Sequence, residues 1–166
     1  MDIHSEIKII RNLLLKKINL LYAFLVLIVF TIDRVSKIKV LNHFNENKYF
    51  VNNFINLDLI WNTGIGFGFL STGSSLIYNI VTLVIGLVIL FLIYIFLISE
   101  VLEKLIYTVI IGGAFGNFYD RILYKGVPDF IDLHYKNFHW FTFNIADIFI
   151  TIGLIALLTN GSKKNK

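Results

Sequence analysis

Residues 76–98 read LIYNIVTLVIGLVILFLIYIFLI, an apolar run without a charged side chain. An α-helix rises about 1.5 Å per residue, so this run would reach about 35 Å, enough to cross the roughly 30 Å hydrocarbon core of a bilayer. The stretch therefore predicts a membrane-spanning helix. Of the 166 residues, 57% are hydrophobic and the mean hydropathy is +0.75, so we expect the bilayer to be the main solvent of the protein.

Further apolar runs lie on both sides of this helix. The first, INLLYAFLVLIVFTI at residues 18–32, has a cleavable signal peptide as its alternative interpretation. No small-x-small cleavage site follows it, and a helix continued to Val40 has the roughly 20 residues needed for a span. We therefore expect one domain over residues 1–166, with spans at approximately 18–40, 76–98, 105–123 and 140–158.

Residues 42–75 interrupt the apolar pattern and are too long for a simple turn. Apolar and polar residues alternate from Ile55 to Asn62, which is the period of a half-buried strand. The expected fold class is thus a mainly α membrane protein, with four transmembrane helices and a small extracytoplasmic cap that contains β-structure. The glycine-rich sequence from Asn62 to Gly68 has a phosphate-binding loop as its alternative, but it lacks the Lys-Ser/Thr pair and strand-to-helix setting of such loops.

The net charge of +4 comes largely from lysine and arginine near the two termini. Basic residues beside membrane segments favour the cytoplasmic side, so both termini are expected inside, with the cap at 42–75 and a loop at 124–139 outside. Nucleic-acid binding is not expected, because the basic residues are not mixed with aromatic residues on an exposed face. The chain has no cysteine, which excludes disulfides, thiolate metal ligands and a cysteine nucleophile.

With this orientation, many polar residues fall at the level of the outer membrane surface. An acidic side chain at the centre of a spanning helix costs about 2.5–3.5 kcal/mol, so an intramembrane carboxylate such as Asp147 indicates a functional site. We expect a polar site roofed by the cap. The positions that converge there are Asp33, Lys37, Asn62, Gly64, Asp120, Arg121, Asp129, Asn144 and Asp147.

Asp129 and Asp147 are candidates for an acid and base pair. Two carboxyl groups close together in a low-dielectric site do not both ionise easily, so one keeps a proton while the other activates a water. The structural alternative is a loop carboxylate at Asp129 with Asp147 buried and paired to Arg121.

Two other features also have structural alternatives. Asp33 and Lys37 lie four residues apart and would form an interfacial ion pair if the lysine extended toward water. The glycines at 112, 113 and 116 would serve only to let helices approach.

A metal centre is not expected. His134 and His139 lie near Asp129 and Asp132 in the sequence, but the HExxH helix of a zinc protease is absent and the histidines are scattered. A serine nucleophile is equally unsupported, because no GxSxG sequence occurs. We expect no metal and no other cofactor.

Five short segments resemble, in order, the motifs of the bacterial lipoprotein signal peptidases, also called signal peptidase II. One such motif alone would be weak, but five in order on four predicted spans are specific, and the match covers almost the whole chain. The segments are Asp33-Arg-Val-Ser-Lys37, Asn62-Thr-Gly64 with Phe67, Gly112-Gly-Ala-Phe-Gly-Asn-Phe-Tyr-Asp-Arg121, Val127-Pro-Asp129-Phe-Ile and Phe143-Asn-Ile-Ala-Asp147.

The resemblance implies an aspartic endopeptidase that removes signal peptides from prolipoproteins, cutting before a cysteine that carries diacylglycerol. Asp129 and Asp147 then match the catalytic pair. Gly66 and Gly68 stand where alanine and a small polar residue are common, and Pro128 precedes the proposed catalytic Asp129. The positions that would bind substrate or order the site are Asn62, Gly64, Gly113, Asn117, Arg121, Asn144, Asp33 and Lys37.

The resemblance also implies a place in the bacterial cytoplasmic membrane, with the active site at its outer face. The expected partners are lipidated prolipoproteins and membrane lipids, and we expect a monomer. The alternative function is a small proton- or ion-coupled transporter, since membrane acids also relay protons. Interrupted helices around a midplane site and internal repeats would be typical of a transporter, and the sequence shows neither.

Overall fold

The computed structural model describes residues 14–43, 48–64 and 75–164. The glycine-rich segment after Gly64 lies outside these ranges. So do some of the basic residues near the two termini. In chain order the elements are α1 Lys17–His43, β1 Tyr49–Asn52, β2 Ile55–Asn62, α2 Ser75–Ile98, α3 Val101–Tyr124, β3 Val127–Tyr135, β4 Phe138–Phe143 and α4 Ile145–Lys164.

Four helices in the described ranges are long and apolar enough to cross a membrane. Most apolar side chains of α2 point away from the protein, and Leu83 and Leu90 are largely exposed. Apolar faces of this size are costly in water and suit contact with lipid. The expected class, a mainly α membrane protein of four spans with a small β-containing part, is confirmed.

Helix α3 lies at the centre of the bundle and packs against α1, α2 and α4. Its glycines allow this close packing. A Cβ added at Gly112 would lie 2.6 Å from the Cβ of Val29 on α1, and one added at Gly113 would lie 2.6 Å from the backbone oxygen of Ala146 on α4. The glycines therefore do serve helix packing, as small residues do at other membrane helix interfaces.

The strands form one antiparallel sheet in the order β1-β2-β3-β4. The alternating sequence Ile55–Asn62 forms β2, as predicted. Strand β3 begins directly after α3, where Lys125 adopts a left-handed conformation with φ of 58° and ends the helix. Strand β4 leads directly into α4. The sheet is thus attached to the end of the bundle where α3 finishes and α4 starts.

The fourth helix differs from the prediction. It was expected to begin near Trp140, but it begins at Ile145, because Phe138–Phe143 pairs with β3 instead. Short apolar and aromatic runs are compatible with either a buried helix or a strand, and only the pairing partner decides. The predicted loop at 124–139 likewise holds β3, and α3 begins at Val101 rather than Leu105.

We predict that Gly112→Ala lowers the thermal unfolding midpoint of the purified protein. The new methyl group would collide with Val29, and overpacking of this kind costs about 1–3 kcal/mol, more than the roughly 1 kcal/mol that alanine gains over glycine within a helix. Gly161→Ala is the matched control, since no described atom lies within 4 Å of its added Cβ. Equal midpoints for the two variants would contradict the packing role of Gly112.

Candidate active site

Asp129 lies on β3 and is 3% exposed. The side-chain amide of Asn62 donates a hydrogen bond of 2.8 Å to its Oδ2, and that of Asn144 donates one of 2.6 Å to its Oδ1. Asn62 on β2 pairs with Val127 on β3, which is two residues before Asp129. Asn62 and Asp129 are therefore diagonal neighbours, and such neighbours lie on the same face of a sheet. Asn62 on the sheet and Asn144, which directly precedes α4, therefore each hold one oxygen of this carboxylate.

Asp147 lies in the first turn of α4, and its carboxylate is held from two directions. The side-chain amide of Asn117 on α3 donates 2.8 Å to Oδ1, and the backbone N–H of Asn144 donates 3.1 Å to Oδ2. In return, the Asp147 backbone N–H donates 3.1 Å to Oδ1 of Asn144. This reciprocal arrangement is a capping box, which satisfies backbone donors that the start of a helix otherwise leaves free.

Asn144 consequently touches both aspartates with one side chain. Its amide nitrogen bonds Asp129 and its amide oxygen bonds the backbone of Asp147. Asn144 is fully buried. Asp129 and Asp147 are thus connected through Asn144, where the sheet joins the bundle.

The electrostatics of Asp129 follow from this position. Burial raises the pKa of Asp129, and the negative charge of Asp147 raises it further, to about 7. Hydrogen bonds from Asn62 and Asn144 favour the ionised form and oppose part of this rise. Asp129 therefore exchanges its proton near neutral pH, as a group that both takes and gives protons must.

A cluster of buried charges lies beneath the two aspartates. The Lys37 ammonium is 2.8 Å from Oδ2 of Asp33 and 2.7 Å from Oδ2 of Asp120, and Arg34 forms an ion pair with Asp120. Lys37 is 0% exposed, so the alternative in which its side chain extends toward water is wrong. The cluster pairs two buried cations with two buried anions, as low-dielectric surroundings require.

Lys37 also connects the charge cluster to Asp147. Its ammonium donates 2.8 Å to Oδ1 of Asn117, and a lysine has only donors to offer. Asn117 must therefore turn its oxygen to Lys37 and its NH₂ group to Asp147. On the other side, Oδ1 of Asp33 accepts 3.0 Å from the backbone N–H of Ala146 in the first turn of α4. The cluster thus orients the helix start that carries Asp147.

Arg121 makes a different set of contacts. Its guanidinium donates to the backbone oxygen of Gly64, whose N–H in turn donates 2.9 Å to Oδ1 of Asn62. Within the part of the chain that the structure describes, Arg121 forms no ion pair with Asp147, so the alternative pairing of these two residues is not supported. Its Nη1 is buried with no hydrogen-bond partner among the described residues. Arg121 therefore connects the end of β2 to α3, and its Nη1 remains available as a hydrogen-bond donor.

The ten residues predicted to be catalytic, to bind substrate or to order the site all fall in this region. Nine form the hydrogen-bonded network described above, and Gly113 packs against the backbone of Ala146 beside it. Sequence reasoning missed Arg34, which partners Asp120 and lies 4.9 Å from the ring of Tyr119. The sequence did indicate Arg34, because it lies between Asp33 and Lys37, and residues this close in a helix lie at the same end of that helix.

The fold and the site together suit a membrane-embedded enzyme of the aspartic type, because the buried carboxyl group of Asp129 and the half-buried one of Asp147 lie where a helix bundle meets a sheet. A family model described as signal peptidase (SPase) II matches residues 25–162. The chain belongs to the signal peptidase II family, an aspartic peptidase family, which confirms the resemblance carried by the five motifs.

Individual relatives agree with the family model. The chain is 46% identical over 164 residues to the lipoprotein signal peptidase of Pelagibacter ubique, which covers 92% of this chain and 99% of that protein. It is 43% identical over 112 residues to the lipoprotein signal peptidase of Thermodesulfovibrio yellowstonii, covering 67% and 73% of the two chains. A solved bacterial membrane enzyme matches with a TM-score of 0.74 at 28% identity, over 87% of this chain and 89% of that one.

We predict that Lys37→Met lowers the stability of the folded protein by about 3–5 kcal/mol, because it leaves buried carboxylates without their common cation. Lys48→Met is the matched control. Lys48 also contacts two carboxylates, 3.1 Å from Asp58 and 3.7 Å from Asp132, but it is 47% exposed, and such pairs contribute about 0–1 kcal/mol. Denaturant titrations in detergent compare the two variants. Similar losses for both would contradict the role given to the buried cluster.

We also predict that stability falls as pH rises from about 4 to about 7. Over this window the folded protein keeps the Asp129 proton that the unfolded chain, with its lower carboxyl pKa of 3.8, has released. Asp129→Asn should flatten this slope in the thermal midpoint, whereas Asp58→Asn on β2 should leave it intact. An unchanged slope in Asp129→Asn would show that other groups control the pH dependence.

Proposed function

We propose that the protein removes signal peptides from diacylglyceryl-modified prolipoproteins, cleaving on the N-terminal side of the lipidated cysteine, with Asp129 and Asp147 as its catalytic pair. The observation that carries this proposal is that two carboxyl groups, from β3 and α4, accept hydrogen bonds from one residue: the side-chain amide of Asn144 donates to Asp129, and its backbone N–H donates to Asp147. Membership of the signal peptidase II family supports the choice of reaction and substrate.

The chemistry follows from two carboxyl groups that share one proton. The ionised group removes a proton from a water molecule as that water attacks the peptide carbonyl carbon, and the protonated group donates to the carbonyl oxygen. Breakdown of the tetrahedral intermediate then passes a proton to the leaving amine. Because the pair titrates jointly, neither Asp129 nor Asp147 is assigned the proton permanently.

The surrounding residues position this pair. Asn62 and Asn144 hold the carboxylate of Asp129, and Asn117 holds that of Asp147. The free Nη1 donor of Arg121 is suited to the carbonyl or carboxylate groups of a peptide. Asp33 and Lys37 act at one remove, through Ala146 and Asn117.

The proposed location is the bacterial cytoplasmic membrane, with both termini inside and the site at the outer face. The basic residues near the termini support this orientation, and an even number of spans places both termini on the same side. A substrate that carries acyl chains stays at the lipid boundary, so its scissile bond would reach a site at the end of the bundle. We further propose a monomer of one domain.

The transporter alternative receives no support from the comparisons. A coupled transporter typically holds its ions near the midplane, on interrupted helices. Here Asp129 lies on a strand beyond the end of α3, and Asp147 lies in the first turn of α4.

The proposal is tested by Asp129→Asn and Asp147→Asn, assayed with a diacylglyceryl-modified precursor peptide. Each variant should lose cleavage almost completely, because an amide neither takes the proton from water nor gives one to the carbonyl oxygen. Asp58→Asn removes a carboxylate from β2 outside the pair and should cleave normally. Full activity of either dyad variant, with folding verified by thermal unfolding, would refute the assignment.

A further inference from the structure

A second polar cluster lies on the sheet, apart from the two catalytic candidates. Asp132 and His134 are two residues apart on β3, so their side chains share a face of the sheet. His139 on β4 is the direct partner of His134 in the antiparallel pairing. Each of the three residues offers one possible ligand atom, and these atoms all lie within 4.8 Å of one another.

His134 supplies an observation of its own. It is 6% exposed, and its Nδ1 has no hydrogen-bond partner within the described part of the chain. Buried polar atoms are normally paired, and an ion is one of the partners that account for an exception. The ring also stacks on His139, with centroids 5.4 Å apart and planes at 24°. Histidine is a common metal ligand through either ring nitrogen.

The donor types match zinc better than a hard cation. Zinc takes histidine nitrogen and carboxylate oxygen at about 2.0–2.2 Å, often with three protein ligands and a water, whereas magnesium and calcium prefer oxygen ligands alone. A tetrahedral zinc site needs its donors about 3.4 Å apart, so the wider distances in the group must shorten and the 2.8 Å between His139 Nδ1 and Asp132 Oδ2 must lengthen. The side chain of His139 is 44% exposed, so its ring has room to turn. Its Nδ1 already lies 2.8 Å from Oδ2 of Asp132.

Neighbouring contacts support a carboxylate ligand at Asp132. The side-chain amide of Asn56 donates 3.2 Å to its Oδ2, the kind of outer contact that orients a metal-binding carboxylate. The ammonium group of Lys48 lies 3.7 Å from Oδ2 of Asp132, but Lys48 is exposed and closer to Asp58. It is free to move toward Asp58 when a metal ion approaches.

We propose that Asp132, His134 and His139 form a zinc-binding site that links β3 to β4. The site is separate from the proposed catalysis, in which it has no step. Its physical effect would be to brace the hairpin whose first strand carries Asp129 and whose second strand ends beside Asn144.

The test measures zinc binding to the full chain in detergent, by calorimetry and by competition with a chromogenic chelator. The wild type should bind one zinc ion per chain, and His139→Ala should weaken binding at least roughly tenfold. His43→Ala is the matched control, because His43 is an exposed histidine on α1 whose Nδ1 lies 2.9 Å from the backbone oxygen of Lys39. It should bind zinc as the wild type does.

Two further measurements distinguish loss of zinc binding from misfolding, and this site from zinc binding elsewhere on the protein. Zinc, but not magnesium, should raise the thermal midpoint of the wild type, since a ligand that binds only the folded state stabilises it, and His139→Ala should lose this rise. Asp129→Asn should keep zinc binding, which separates this site from the catalytic pair. Absence of stoichiometric zinc in the wild type, or unchanged affinity in His139→Ala, would overturn the proposal.

Discussion

The hydrogen bonds of Asn144 are the interaction on which the site depends. Asn144 lies between the end of β4 and the start of α4, and its side chain bonds the carboxylate of Asp129 and the backbone of Asp147. The same residue therefore caps a membrane helix and fixes the sheet relative to it. Since the side chain is fully buried, no water competes for these bonds. The distance between the two carboxyl groups is thus set by a local helix-capping motif rather than by long-range packing alone.

The charge cluster explains why so polar a region is stable within an apolar protein. Buried charges are costly unless each has a partner, and a lipid environment adds to that cost. Lys37 is shared by Asp33, Asp120 and Asn117. Through these contacts one ammonium group links α1 and α3 and, by way of Asn117, the carboxylate of Asp147. In this region, charge pairing therefore supplies the stabilisation that burial of apolar side chains supplies elsewhere in the bundle.

Much of this organisation could be predicted from the sequence. Long apolar runs gave the four spans because crossing lipid demands both length and hydrophobicity, and alternation gave β2 because one face of a strand is buried. The candidate site residues could be selected because polar side chains are rare in such a chain.

Pairing across the sheet could not be predicted in the same way. Residues 138–143 are aromatic enough to suit a helix, and only their register with β3 makes them a strand. The meeting of His139 with Asp132 depends on that same register, and so does the direct entry of β4 into the cap of α4. Contacts that depend on hairpin register cannot be read from local composition. The network along α1, α3 and α4 can be, because helical spacing places its residues at one end of the bundle. The sheet is therefore the part of the molecule where structure adds most to sequence, and it is also the part that supplies Asp129.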